Sequence, residues 1–174
     1  MKKQRAFTLL ELLISLSLLM ILISIAAPAY HHLFSQQALI TSADKLYHFL
    51  VLAKSQSIKL NKKVYVHFCK HPTTNEWRMA QSEEASCDCF SKNSCLVNGA
   101  QFNEQLSDGK LVFVAEGGIT FTGLQASYST MRFSVNTGSI TLTDNSNQKL
   151  KIIQSVTRLR ICALGNTKLG YEKC

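Results

Sequence analysis

The sequence predicts an α+β chain in which one long N-terminal helix, apolar enough at its start to be transmembrane, packs on antiparallel β-sheets. Three observations carry that expectation. An apolar run opens the chain, helical periodicity continues beyond it, and alternating strand patterns separated by turn residues fill the remainder. The 174 residues leave room for one globular domain and an appendage. With 46% hydrophobic and 17% charged residues the chain is too apolar to be disordered.

The apolar run covers 7–30 and follows three cations, Lys2, Lys3 and Arg5. Its length of about 24 residues suits one membrane span. The competing reading is an ordinary secretory signal, with the small residues Ala27-Pro28-Ala29 as the cut site. Against it, the run is longer than a usual signal core and carries an acid, Glu11, near its start. A lone carboxylate costs about 2.5–3.5 kcal/mol at a bilayer centre and less near the interface, so Glu11 needs a partner. The leading cations stay cytoplasmic by the positive-inside rule, which places the C-terminal domain in the periplasm of a cell with an inner membrane.

Helical spacing continues through Leu39, Ala43, Leu46, Leu50 and Ala53, while Asp44, Lys45, Lys54 and Gln56 fall off that stripe. One helix is expected over about 7–60, with a break or bend near Pro28. Its outer half, 31–60, leads into a globular β-rich part, 61–174. There Val64, Val66 and Phe68 alternate with Tyr65, His67 and Cys69, 71–75 is a turn, and 77–81 returns as the partner strand. The polar stretch 82–110 is expected as a long loop tied by disulfides. Further strands are expected at 111–115, 119–122, 130–135, 139–143, 149–154 and 156–162. Glu116-Gly117-Gly118, Asn136-Thr137-Gly138 and Asp144-Asn145-Ser146-Asn147 mark turns between them.

All six cysteines, Cys69, Cys87, Cys89, Cys95, Cys162 and Cys174, follow the apolar block. An even number in an exported domain predicts disulfides, with the connectivity left open. Cys87-x-Cys89-x5-Cys95 lacks the paired spacing of a zinc site, so no metal is expected. Cys162 and Cys174 could close a short loop worth roughly 3 kcal/mol. No catalytic set stands out. The histidines, His31, His32, His48, His67 and His71, lie on the helix and the first hairpin. His67 beside Cys69 has no orienting acid, and no phosphate-binding glycine loop is present. The expectation is a non-enzyme without a cofactor.

The formal charge is +8, unevenly placed. From residue 76 to 108 six acids outnumber two bases, whereas from 148 onward six bases outnumber one acid. Within the basic stretch, Thr157-Arg158-Leu159-Arg160-Ile161 would alternate on a strand, turning Leu159 and Ile161 inward and Arg158 and Arg160 outward together. Lys149 and Lys151 repeat the pattern one strand earlier. Side chains two strand steps apart are separated by about 7 Å, close to the phosphate spacing of a nucleic-acid strand. Guanidinium forks bind phosphate bidentately, and phosphate neutralisation supplies sequence-independent affinity. The bland alternative is a solvated basic face, or pairing with the acids of 76–108.

The opening Lys-Lys-Gln-Arg-Ala, then Phe7-Thr8-Leu9-Leu10-Glu11, resembles the class III leader of type IV pilins and type II secretion pseudopilins. The resemblance implies that 1–6 is a leader and that a prepilin peptidase cuts between Ala6 and Phe7. Ala6 stands where the family usually has glycine. It also implies N-methylation of Phe7 and an assembly role for Glu11, paired with the Phe7 amine of a neighbouring pilin subunit. Pro28 is similar to the family's helix-interrupting proline. The segment order resembles the GspH/FimT branch of pseudopilins and minor pilins. In that branch, DNA-binding minor pilins of natural transformation carry a C-terminal Gly-Arg-x-Arg, to which Thr157-Arg158-Leu159-Arg160 is similar, with Thr157 in place of glycine. That implies a minor pilin assembled into a pilus at the cell surface. It would contact the backbone of double-stranded DNA through Arg158, Arg160, Lys149, Lys151, Lys168 and Lys173. The alternative implied by the same branch is a GspH-type pseudopilin with a structural role at a secretion tip.

Overall fold

A threonine opens the long helix. Thr8 Oγ1 accepts from the Glu11 backbone N–H at 3.3 Å, and the Glu11 carboxylate accepts from the Thr8 backbone N–H at 3.1 Å and from its hydroxyl at 3.0 Å. This reciprocal capping box satisfies donors that the first helical turn leaves without partners. From it runs helix α1, Leu9–Leu60. The computed structural model describes residues 8–107, 109–130, 134–165 and 169–174, with backbone alone at 27–29. Helical structure is assigned through position 28, so the expected break at Pro28 does not end the helix. The chain falls into two units, Met1–Phe34 and Ser35–Cys174.

In the first unit the described side chains are exposed all round. The hydroxyls of Ser15, Ser17 and Ser24 donate to the carbonyls of Leu12, Ile14 and Ile21, three residues back. Polar groups are thus satisfied within the helix and the outward surface is apolar, as a bilayer requires. α1 is long and apolar enough to cross a membrane.

In the second unit Leu39, Ala43, Leu46, Leu50 and Ala53 of α1 are buried, each at most 1% exposed. They join inward side chains of two four-stranded antiparallel sheets in one core cluster. The first sheet contains β1 (Val64–Lys70), β2 (Trp77–Ser82), β3 (Phe102–Ser107) and β5 (Gln125–Tyr128), in the order β3-β2-β1-β5. The second contains β4 (Val112–Ile119), β6 (Gly138–Asp144), β7 (Lys149–Gln154) and β8 (Leu159–Leu164), in the order β4-β6-β7-β8. Each fully buried Leu, Ile or Val contributes about 1.5–3 kcal/mol relative to exposure.

Several expectations need correction. The stretch 82–110 is not all loop: β3 lies within it and pairs with β2. The segments 111–115 and 119–122 do not form two strands. A single strand, β4, meets β6 at Val112–Val114 and again at Ile119. Glu116-Gly117-Gly118 is the irregularity between those pairings, with Gly117 left-handed at φ 62°. Strand β5 was not expected. Of the expected strand 130–135, positions 131–133 lie outside the described residues, and Val135 makes an isolated bridge to Tyr128. Gly138 starts β6 against the Phe121 ring, where any Cβ would collide. That ring stacks on Phe68 at 5.8 Å, inside the core.

Three disulfides complete the second unit. Cys69–Cys89 fastens the polar stretch to the first hairpin, Cys87–Cys95 closes a loop within that stretch, and Cys162–Cys174 closes the C-terminal loop. Around the first two lies a small apolar cluster with Ala80 and Phe90. The Arg78 guanidinium sits 4.9 Å over the Phe90 ring.

Candidate functional site

The basic residues of the C-terminal part meet on the β7–β8 hairpin. The two strands pair with Lys149 opposite Leu164, Lys151 opposite Cys162, and Ile153 opposite Arg160. Leu150 and Ile152 of β7, with Leu159, Ile161 and Ala163 of β8, belong to the core cluster. Alternation therefore turns Lys149, Lys151 and Arg160 to the opposite, outer face. Lys151 and Arg160 are diagonal neighbours across the ladder, about 7–8 Å apart at the backbone.

Arg158 departs from expectation. The strand begins at Leu159, not at 156, because 155–158 form the hairpin connection. The Ser155 N–H donates to the Arg158 carbonyl at 3.0 Å, as does the Ser155 hydroxyl at 2.9 Å. The Arg158 N–H donates back to the Ser155 hydroxyl at 3.2 Å. Arg158 is thereby held exposed at the strand entrance, two residues before Arg160. The backbone at Thr157 is not left-handed, so this turn does not demand glycine there.

None of Lys149, Lys151, Arg158 and Arg160 has a carboxylate within ion-pair distance among the described residues. Two acids of the 76–108 stretch are engaged elsewhere: Glu83 pairs with Lys62 at 2.6 Å and Glu76 with Arg78 at 2.8 Å. Hydrogen bonds from Lys62 and the Asn98 N–H hold the Glu83 carboxyl below its usual range.

Of the other expected cations, Lys168 lies outside the described residues. Lys173 makes a parallel bridge to Ala163 on the free edge of β8. The Ala163 N–H donates to the Glu172 carbonyl at 2.8 Å and the Cys174 N–H to the Ala163 carbonyl at 3.1 Å. Tyr171 serves the fold, donating its hydroxyl to Asp44 of α1 at 2.8 Å. Burial and that carboxylate push its hydroxyl up to about 12.

The sequence did not point to a cleft between α1 and the hairpin tip. Tyr47, Val51, Lys54 and Ile58 form a helical stripe beside the buried one. They face Val156 and Arg158 across two adjoining hollows of about 310 and 230 Å3. Tyr128 lies beneath, its hydroxyl donating to Gln154, and burial pushes that hydroxyl's pKa up. The 4-3-4 spacing was the available signal, but it resembles a continuation of the core face.

At the other end, Ala6 and Phe7 lie outside the described residues, and Glu11 occupies the capping box. His67 is buried with Nε2 3.1 Å from the Glu84 carbonyl oxygen, and burial lowers its pKa against that bond. Cys69 is disulfide-bonded, so His67 has no thiol beside it to activate. Among the described residues no group of three or more His, Cys, Asp or Glu could hold a metal ion.

An apolar N-terminal helix leading into this α+β domain defines a pilin-like subunit with a single membrane anchor. The prokaryotic N-terminal methylation motif matches residues 1–27. The family described as type II transport protein GspH matches residues 42–165. The chain belongs to that family of minor pilins and pseudopilins, which implies prepilin-peptidase processing and other pilin subunits as partners. No curated protein and no solved structure matches the chain.

Proposed function

We propose that this subunit is a minor pilin that binds the DNA backbone through the β7–β8 hairpin, with Arg158, Arg160, Lys149 and Lys151 as phosphate contacts, for DNA uptake in natural transformation. The observation that carries this reading is that these four cations gather on one hairpin with no neutralising carboxylate among the described residues. A basic surface needed only for solubility has no reason to exclude acids from a shared face. Lys173 adds to the field at the β8 edge, and Lys168 would extend it. Among the described residues of β7 and β8 there is no aromatic to read bases, so contacts are to phosphate and carry little sequence preference.

The remaining steps of the proposal follow the leader. The peptidase cuts between Ala6 and Phe7, the Phe7 amine is methylated, and the domain projects into the periplasm before assembly into a pilus. Glu11 then exchanges its own helix cap for the amine of a neighbouring subunit.

The test is a gel shift of the full chain in neutral detergent with a 30-base-pair duplex over a salt series. Neutralising about four phosphates gives a log–log salt slope of roughly −3 to −4. Arg158→Ala/Arg160→Ala should weaken binding at least tenfold and reduce the slope by about 2. Arg78→Ala, which removes an already paired cation, should change neither. Absent binding at low salt, or binding indifferent to the double substitution, refutes the reading. The family description favours a second reading, a structural pseudopilin of a type II secretion tip. It predicts no duplex binding, with secretion lost when the gene is deleted.

A further inference from the structure

Resting on the DNA reading above, we infer that the cleft between α1 and the hairpin tip is a binding site for one unpaired nucleotide. The base would lie against Tyr47 and Val156, with its phosphates between Lys54 and Arg158. The site would thus add a preference for strand ends and single-stranded stretches to backbone binding.

Four observations converge on this. The cleft is apolar where a base would sit. Val51, Ile58 and Val156 on its rim are 41%, 57% and 63% exposed, more than a soluble surface usually leaves on adjacent apolar side chains. It offers an aromatic wall, since Tyr47 is half-buried and lines the larger hollow. Base–aromatic stacking is indifferent to sequence because every base has a π-face. Its charge is one-signed: among the described lining residues Lys54 and Arg158 are the cations and no Asp or Glu is present. An occupant must therefore carry negative charge beside an apolar, planar part. Last, Arg158 belongs to both surfaces. A strand whose phosphates pass from Arg160 on the outer face to Arg158 at the strand entrance arrives at the cleft mouth. Ligand sites begin at roughly 300 Å3, so the hollow suits a single small group and not a duplex.

A helix of paired bases cannot enter such a slot without unpairing. Two DNA forms therefore separate this inference from the reading it rests on. The full chain in neutral detergent is titrated with a twelve-nucleotide oligo-dT and, separately, with a duplex closed by hairpins at both ends. Tyr47→Ala should weaken oligo-dT binding about tenfold, the effect of one lost stack, while closed-duplex binding stays within twofold. Tyr47→Phe keeps the ring and should bind like the parent. Arg158→Ala should weaken both forms.

A second readout needs no variant. An oligonucleotide carrying 2-aminopurine should lose fluorescence on saturating binding, as its base leaves water for the Tyr47 ring. Oligo-dT binding indifferent to Tyr47→Ala, an equal loss on the closed duplex, or unchanged 2-aminopurine fluorescence would each overturn the inference and leave backbone binding standing. A Tyr47→Ala change that alters neither DNA titration but dissociates a self-associated chain would assign the cleft to packing between copies, and would also overturn it. If neither DNA form binds the parent, both readings fall.

Discussion

The two sheets of the globular unit each have four antiparallel strands, yet they treat charge in opposite ways. Around the first sheet Lys62, Arg78 and Lys63 are neutralised or covered, whereas Lys70 at the end of β1 is exposed. Lys62 pairs with Glu83, Arg78 pairs with Glu76 and lies over Phe90, and Lys63 sits 4.6 Å over the Tyr65 ring. That side is also cross-linked by Cys69–Cys89 and Cys87–Cys95. The second sheet leaves Lys149, Lys151, Arg158 and Arg160 without an acid partner among the described residues, on a hairpin anchored by apolar side chains beneath. Surface ion pairs add little to stability, about 0–1 kcal/mol. On the DNA reading proposed above, the difference is one of use: one side is closed on itself, the other held ready for an anion.

Three predictions probe that contrast, from the largest effect to the smallest. Removing the Cys69–Cys89 cross-link with Cys69→Ser/Cys89→Ser should cost about 3 kcal/mol in denaturant unfolding, from loop entropy returned to the unfolded chain. DNA affinity should not change, because the cross-link serves the other sheet. A parallel loss of affinity would break the division of labour. Next, Tyr128→Phe should cost about 1–2 kcal/mol, since it leaves the Gln154 side-chain oxygen beside the hairpin turn without its donor. The expected readout is a lower melting temperature with DNA affinity retained.

The smallest effect concerns His67. Burial lowers its pKa below the ordinary 6.5, so the unfolded chain takes up the proton first as pH falls. Stability should be fully present above about pH 6.5, decline between that value and the lower folded pKa, and then level off. His67→Gln should flatten that stretch of a pH series of unfolding midpoints. An unchanged slope would remove His67 from the account.

Much of this architecture was legible in the sequence, for identifiable reasons. The buried helix stripe, the β1–β2 hairpin and the β6–β7 pair announce themselves through strict periodicity. Strand β3 does not, because it is an edge strand whose exposed Asn103, Glu104 and Gln105 break the alternation. Strand β5 is only four residues long. Glu116-Gly117-Gly118 carries turn composition, but its neighbours pair with β6 on both sides, so the chain bulges and continues. At the candidate site the sequence places Lys149, Lys151 and Arg160 on one face through the inward–outward pattern. It fails for Arg158, because nothing local says that Ser155 will close the hairpin through its own hydroxyl. Tyr47 and Lys54 were out of reach, since only tertiary packing brings a helix face beside a hairpin more than a hundred residues later in the chain.

The acid-free hairpin also has a thermodynamic side. Four like charges on one hairpin, three on its strands and Arg158 in its turn, repel one another, and the folded hairpin concentrates them more than the unfolded chain does. Its stability should therefore rise with ionic strength, opposite to that of a surface held by ion pairs, and a bound polyanion should raise it further through linkage. On the DNA reading proposed above, folding and ligand capture form one coupled equilibrium, in which the phosphate backbone relieves the repulsion that the folded hairpin concentrates.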